Sequence, residues 1–225
     1  MTSPLDNPIW AALTGPQAAL ADRNGAAARY LTDISLFAGI GGPDGWADLA
    51  ALAGPRGEVY LTGAYLDVPD GWQTTFRMPG VQLTGERVAG EPFPGAEILG
   101  PADVPEMLDL VERTKPGPFR KRTVELGRYL GVRRDGKLAA MAGTRMRLPD
   151  GWTEISAICT DPAFRGQGLA AGLTLALAHD IQSRGERPFL ATLASNANAI
   201  RLYERLGFEH RREVEFTAFL APAHM

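Results

Sequence analysis

Several things are scarce in this sequence. One cysteine, Cys159, stands among 225 residues, which excludes an internal disulfide framework and fits a reducing compartment. There are three histidines, and no His, Cys and Asp cluster has metal-ligand spacing, so no metal is expected. No stretch approaches the ~20 apolar residues of a membrane span. The N-terminus, Met-Thr-Ser-Pro-Leu-Asp, lacks the basic flank and apolar run of a signal peptide. A cytoplasmic protein without a membrane partner is the expectation. A basic excess is missing too: the net charge is −3, which makes nucleic acid a poor partner.

What is present is ordinary globular material, 45% apolar and 22% charged. The length suits one large domain or two small ones. Residues 1–95 are rich in Gly, Pro and Ala and read as a small α+β subdomain without a chemical signature. Short helices are expected at 16–22 and 46–52, and strands at 58–62, 72–78 and 81–84, with breakers such as Pro79-Gly80 between them. Residues 91–95 read as a linker. Beyond it, Asp103 and Glu106 have capping-box spacing around Pro105, ahead of a helical stripe through Met107 and Val111. A short helix is expected at 120–127. Strands at 129–132 and 138–145 flank the hairpin pair Asp135-Gly136, and 213–220 reads as a closing strand.

The chemistry concentrates in residues 152–208. An apolar strand over 152–160 leads to Asp161-Pro162. Arg165-Gly166-Gln167-Gly168-Leu169-Ala170 then opens a helix with leucines at 169, 173 and 177. Small residues at a helix N-terminus let an anion such as pyrophosphate approach the free N–H groups. Taken alone, the glycines serve tight strand-to-helix geometry equally well. A Walker loop is excluded because no lysine lies near the turn. A dinucleotide fingerprint matches the spacing Gly166-x-Gly168-x-x-Ala171. It fails because the next strand ends Leu193-Ala194-Ser195-Asn196, without the acid that would hold a ribose. Asn196, Ala199 and Tyr203 then share one helical face, with Gly207-Phe208 behind them.

Together, Arg-x-x-Gly-x-Ala at 165–170 and Asn-x-x-Ala-x-x-Leu-Tyr-x-x-x-Gly-Phe at 196–208 resemble the cofactor half of the GNAT superfamily of N-acetyltransferases. The resemblance covers roughly residues 96–220. It implies an α+β fold, with a central mixed, mostly antiparallel sheet flanked by helices. Residues 96–225 would form the acyl-CoA-binding catalytic domain, and 1–95 an extra subdomain, a degenerate half-copy being one reading of it. The implied reaction is direct attack of an amine on the thioester of acetyl-CoA, or of a close acyl relative. The acceptor would be a small-molecule amine or a protein amine. A non-catalytic acyl-CoA-binding regulatory module is the alternative.

Carried over by position, the main chain of Ile158, Cys159 and Thr160 would hold the pantetheine arm. Arg165, Gly166, Gln167, Gly168, Leu169 and Ala170 would cradle the pyrophosphate, with Asn196 and Ala199 meeting the cofactor from the next strand end. Tyr203 matches the tyrosine that protonates the leaving sulfur, and a backbone N–H near Ile158 would polarise the carbonyl. Glu154 is the expected base, acting through water, because strand parity puts it on one face with Ser156 and Ile158. Cys159 reads as a small buried hydrophobe, since His179, His210 and His224 cannot be placed beside it. The arginines at 201, 205, 211 and 212 read as solvated helix-face charges, contact with the cofactor's distal phosphate being the other reading. Residues 119–122 sit where related enzymes line the acceptor groove. A homodimer built through residues 1–95 stays open.

Overall fold

The computed structural model describes residues 3–63 and 67–223. In chain order the elements are α1 (Pro8–Leu13), β1 (Ala21–Asn24), β2 (Ala27–Tyr30), β3 (Ala38–Ile40), α2 (Gly45–Ala53), β4 (Glu58–Thr62) and β5 (Gln73–Thr84). Then follow β6 (Glu97–Leu99), α3 (Val104–Thr114), β7 (Tyr129–Arg134), β8 (Lys137–Arg147), β9 (Trp152–Thr160), α4 (Leu169–Ser183), β10 (Arg187–Leu193), α5 (Ala197–Arg205) and β11 (Glu209–Leu220).

Eight strands form one sheet in the order β4-β11-β5-β10-β9-β8-β7-β6, and β1-β2-β3 form a small second sheet. Every neighbouring pair is antiparallel except β9 with β10. This is the α+β, mixed and mostly antiparallel plan expected from the sequence. The leucine spacing of α4 explains one covered face: Leu169, Leu173, Leu177 and Ile181 are buried in a single cluster with Ile155, Leu190 and Tyr203. Each such side chain contributes ~1.5–3 kcal/mol by leaving water. The opposite face is covered by α3 through Met107 and Leu110, and by the N-terminal segment through Leu13, Tyr30 and Phe37.

The boundary expected at residue 95 does not divide the sheets. β4 and β5 precede it yet pair with β11, and β5 also pairs with β10. The expected linker is also tied down, because Phe93 covers Gly172, where a Cβ would meet its ring at 2.6 Å. The two strands expected at 72–78 and 81–84 are one, running straight through Pro79-Gly80. Pro79 tolerates this because β10 ends there: its carbonyl accepts from Ala194 N at 2.9 Å, the first N–H beyond the β10 ladder.

Other expectations shift. In place of a helix at 16–22 there is one short turn, Ala18–Leu20, before β1. That strand pairs with β2 across Gly25, whose φ is 48°. The helix expected at 120–127 is likewise a single turn, Thr123–Leu126. The capping box at Asp103 does not form, since its Oδ2 accepts from Gly100 N at 2.8 Å, one turn earlier. Glu106 instead pairs with Arg133 across to β7. By contrast Asp135 and Gly136 both take positive φ, 52° and 74°, as their hairpin turn requires.

Candidate acyl-transfer groove

β9 and β10 pair only at their beginnings, Trp152–Glu154 against Arg187–Phe189. From Ile155 and Leu190 onward the two strands diverge. Their parting opens a groove of about 1010 Å³ that runs along the second half of β9 and across the start of α4 and α5. One irregularity sits in the groove wall. Ala157 has a φ of 53°, and the register against β8 slips between Met141 and Gly143, so β9 carries one extra residue there.

This bulge overturns the parity argument for Glu154. Ile155 and Ile158 both pack on the α4 side, whereas Ala157 and Cys159 pack against the α3 cluster. Glu154 and Ile158 therefore point to opposite faces of the sheet. Glu154 is 1% exposed, and Arg145 occupies both its oxygens, with Nε to Oε2 at 2.6 Å and Nη2 to Oε1 at 2.7 Å. It does not line the groove as a free carboxylate. Burial alone would favour loss of the guanidinium's proton, but Glu154 against it carries the Arg145 pKa above its ordinary value.

The other expected residues gather at one place. Ile158, Cys159 and Thr160 line the groove at the end of β9, and Arg165, Gly166, Gly168, Leu169 and Ala170 continue it, while Gln167 stands outside the lining. Gly166 and Gly168 have φ of 78° and 76°, and a Cβ on either would meet nothing within 4 Å. Their freedom is therefore needed for backbone conformation and for whatever approaches, rather than for packing. The first bond within α4 runs from Gly172 N to Gly168 O, which leaves the N–H groups of Leu169, Ala170 and Ala171 facing outward with the helix dipole behind them. The Thr160 hydroxyl, buried in this wall, has no hydrogen-bond partner among the described residues. Split strands, an orphaned hydroxyl and an open glycine turn at a helix N-terminus suit a long ligand with an anionic end.

Asn196 caps α5 by accepting from Ala199 N at 3.3 Å, and Asn196, Ala199 and Tyr203 all line the groove. Tyr203 is held edge-on against Phe208, with ring centroids 6.1 Å apart. Burial pushes its phenol up to about 12, and no hydrogen bond to its hydroxyl exists among the described residues. Burial likewise pushes the Cys159 thiol up to about 11. Among the described residues no group of His, Cys, Asp and Glu is placed to hold a metal ion, and no helix is long and apolar enough to cross a membrane.

Residues 129–217 match the family model of FR47-like proteins. A GNAT-family protein from Novosphingobium aromaticivorans DSM 12444 is 40% identical, with a TM-score of 0.90 over 97% of this chain and 98% of its own. The chain belongs to the GNAT superfamily of N-acetyltransferases. The [ribosomal protein bS18]-alanine N-acetyltransferase of Escherichia coli (strain K12) is 34% identical over 116 residues, 49% of this chain and 77% of that enzyme. A GCN5-related N-acetyltransferase from Kribbella flavida shares the fold, with 19% identity and a TM-score of 0.60 over 95% of this chain and 96% of its own. The protein is thus an acetyltransferase acting on an amine, and members of this superfamily draw the acetyl group from acetyl-CoA.

In this GNAT chain the sequence reading missed the far end of the groove. There Phe37 lies under the Arg145 guanidinium, 4.4 Å from ring centroid to Cζ, and Tyr60 meets Phe37 edge-on at 6.0 Å. Gln17 donates to the Arg145 carbonyl at 2.7 Å and accepts from the Tyr30 hydroxyl at 2.7 Å. Residues 115–119 close the opposite wall. Phe37 and Gln17 lie more than a hundred positions from the motifs and carried no local signal. Arg145 did carry one, since a charge beside Thr144 and Met146 in an otherwise buried strand needs a partner.

Proposed function

We propose that this protein binds acetyl-CoA in the groove between β9 and β10 and acetylates an amine entering from the Phe37–Tyr60 end. The parting of β9 from β10 after three paired positions carries this reading, because it leaves unpaired strand edges that an extended pantetheine arm can join. When bound, the cofactor supplies an activated thioester. Main-chain groups of Ile158, Cys159 and Thr160 would orient its arm. The turn from Arg165 to Ala170 would hold the pyrophosphate, with Gln167 contributing backbone only. Asn196 and Ala199 would flank it from α5.

The left-handed Ala157 re-aims the following amide, and the N–H of Ile158 is our candidate for holding the developing oxyanion. Tyr203, its phenol pushed up to about 12 by burial and without a hydrogen-bond partner among the described residues, would donate its proton to the departing sulfur. No Asp, Glu or His is among the described residues lining the groove. We therefore assign the amine proton to water, and give Glu154 the task of positioning Arg145. Residues 96–225 would carry the donor site, while residues 1–95 complete the sheet and wall the acceptor end.

The test is the melting temperature of the purified protein titrated with acetyl-CoA, with NADH as matched control, followed by thiol release across a panel of amines. A saturable rise with acetyl-CoA alone and amine-dependent thiol release support the reading. A saturable rise without release for any amine would favour a binding module, and no rise would remove the cofactor assignment.

A further inference from the structure

We propose that Arg145 selects the acceptor, and that the acceptor is a small amine carrying its own carboxylate. This rests on the acyltransferase reading and deepens it. The guanidinium has five N–H groups. Glu154 takes one from Nε and one from Nη2, so the pair meets side-on. The end-on edge, formed by one Nη1 hydrogen and the second of Nη2, has no hydrogen-bond partner among the described residues. That edge belongs to a side chain 13% exposed, and Arg145 lines the groove. An unused planar fork of this kind matches a second carboxylate bidentately.

The fork is also fixed in place. Phe37 stacks beneath it, Glu154 grips one edge, and Gln17 holds the backbone at the same residue. An arginine needed only to balance Glu154 would not require an opening to the groove. Its position excludes the cofactor's phosphates as the intended anion. Arg145 bonds Glu154 near the start of β9, whereas the glycine turn follows Thr160, six residues and about 20 Å further along the strand. The carbonyl-polarising position lies between them. An anion at Arg145 therefore sits beyond the reacting thioester, where the acceptor enters. The charge of the groove agrees, because among the described residues on its walls the ionisable side chains other than tyrosine and cysteine are Lys115, Arg145, Arg165 and Arg205. A doubly cationic amine would meet like charge along this route, while an amino acid presents a carboxylate to the fork and its amine to the thioester.

The experiment uses matched triplets: free amino acids, their carboxamides, and the amines lacking the carboxyl group, across aliphatic, aromatic and polar side chains. Thiol release from acetyl-CoA is read with each, after acetyl-CoA binding has been established by thermal shift. The acid should exceed its amide and amine at least ten-fold in kcat/KM, mainly through KM. In the double variant Arg145→Met/Glu154→Met, which removes both buried charges together, that preference should shrink to within about two-fold while the acetyl-CoA Kd is unchanged. Equal or better use of amides or amines would overturn the proposal. So would a preference that survives the double variant, faster acetylation of a C-terminally amidated peptide, or bound acetyl-CoA with no turnover of any triplet. Absence of acetyl-CoA binding would instead strike the acyltransferase reading itself.

Discussion

The carboxylate of Glu154 lies against the guanidinium of Arg145 through two hydrogen bonds, 2.6 and 2.7 Å long, beneath the surface of the groove. A carboxylate so held, 1% exposed and absent from the groove's lining, is not presented to a substrate amine. Its substitution separates two roles. Glu154→Gln should leave Arg145 buried without its countercharge and cost about 3–5 kcal/mol, or roughly 6–20 °C in Tm at this size. A base acting on the amine would show the reverse: an unchanged Tm with a large fall in kcat. Differential scanning fluorimetry and steady-state rates on one preparation decide between them.

Tyr203→Phe removes a hydroxyl that has no partner among the described residues and keeps the ring against Phe208. Stability should change by less than about 1 kcal/mol. If the phenol protonates the leaving sulfur, kcat should fall by ~10²-fold or more with the acetyl-CoA Kd unaltered. A variant with full kcat would end that assignment.

Two glycines should respond in opposite ways. Gly168→Ala puts a Cβ into open space at φ 76°, so the folded protein should lose only ~1–2 kcal/mol of stability to the added backbone strain. Acetyl-CoA affinity should fall at least ten-fold, because the added methyl stands where a ligand must approach. Gly172→Ala drives a Cβ to 2.6 Å from the Phe93 ring. It should lower Tm and shift affinity little. Calorimetric titration beside thermal unfolding of the pair reads both effects.

Cys159 and Tyr203 predict a one-sided pH dependence of stability. Burial raises both folded-state values, the thiol from 9.0 to about 11 and the phenol from 10.0 to about 12. Each group thus adds stability fully present below its unfolded value and lost as pH rises through its folded one. For a shift of two units the loss is ~2.7 kcal/mol per group. Resistance to unfolding by urea should therefore fall between pH 9 and 12. At pH 8 Cys159 should resist Ellman's reagent in native protein and react at once in urea. Rapid native labelling would contradict the buried, neutral thiol.

Much of the donor half was legible because its signals are local. The leucines of α4, the glycines at 166 and 168, the cap at Asn196 and the Asp135-Gly136 turn each act within a few residues, so spacing alone determines the element they make. The acceptor half was not legible, for three physical reasons. Strand pairing is non-local, and only the sheet decides that β4 and β5 pair with β11 instead of forming a subdomain of their own. A bulge reverses every side chain after it, and nothing in the letters around Ala157 announced that Ile158 would turn away from Glu154. Ion pairing depends on which strands become neighbours. Arg145 and Glu154 are nine residues apart with nothing in sequence to pair them, and the β8–β9 ladder makes them one buried pair over Phe37 from the distant N-terminal segment.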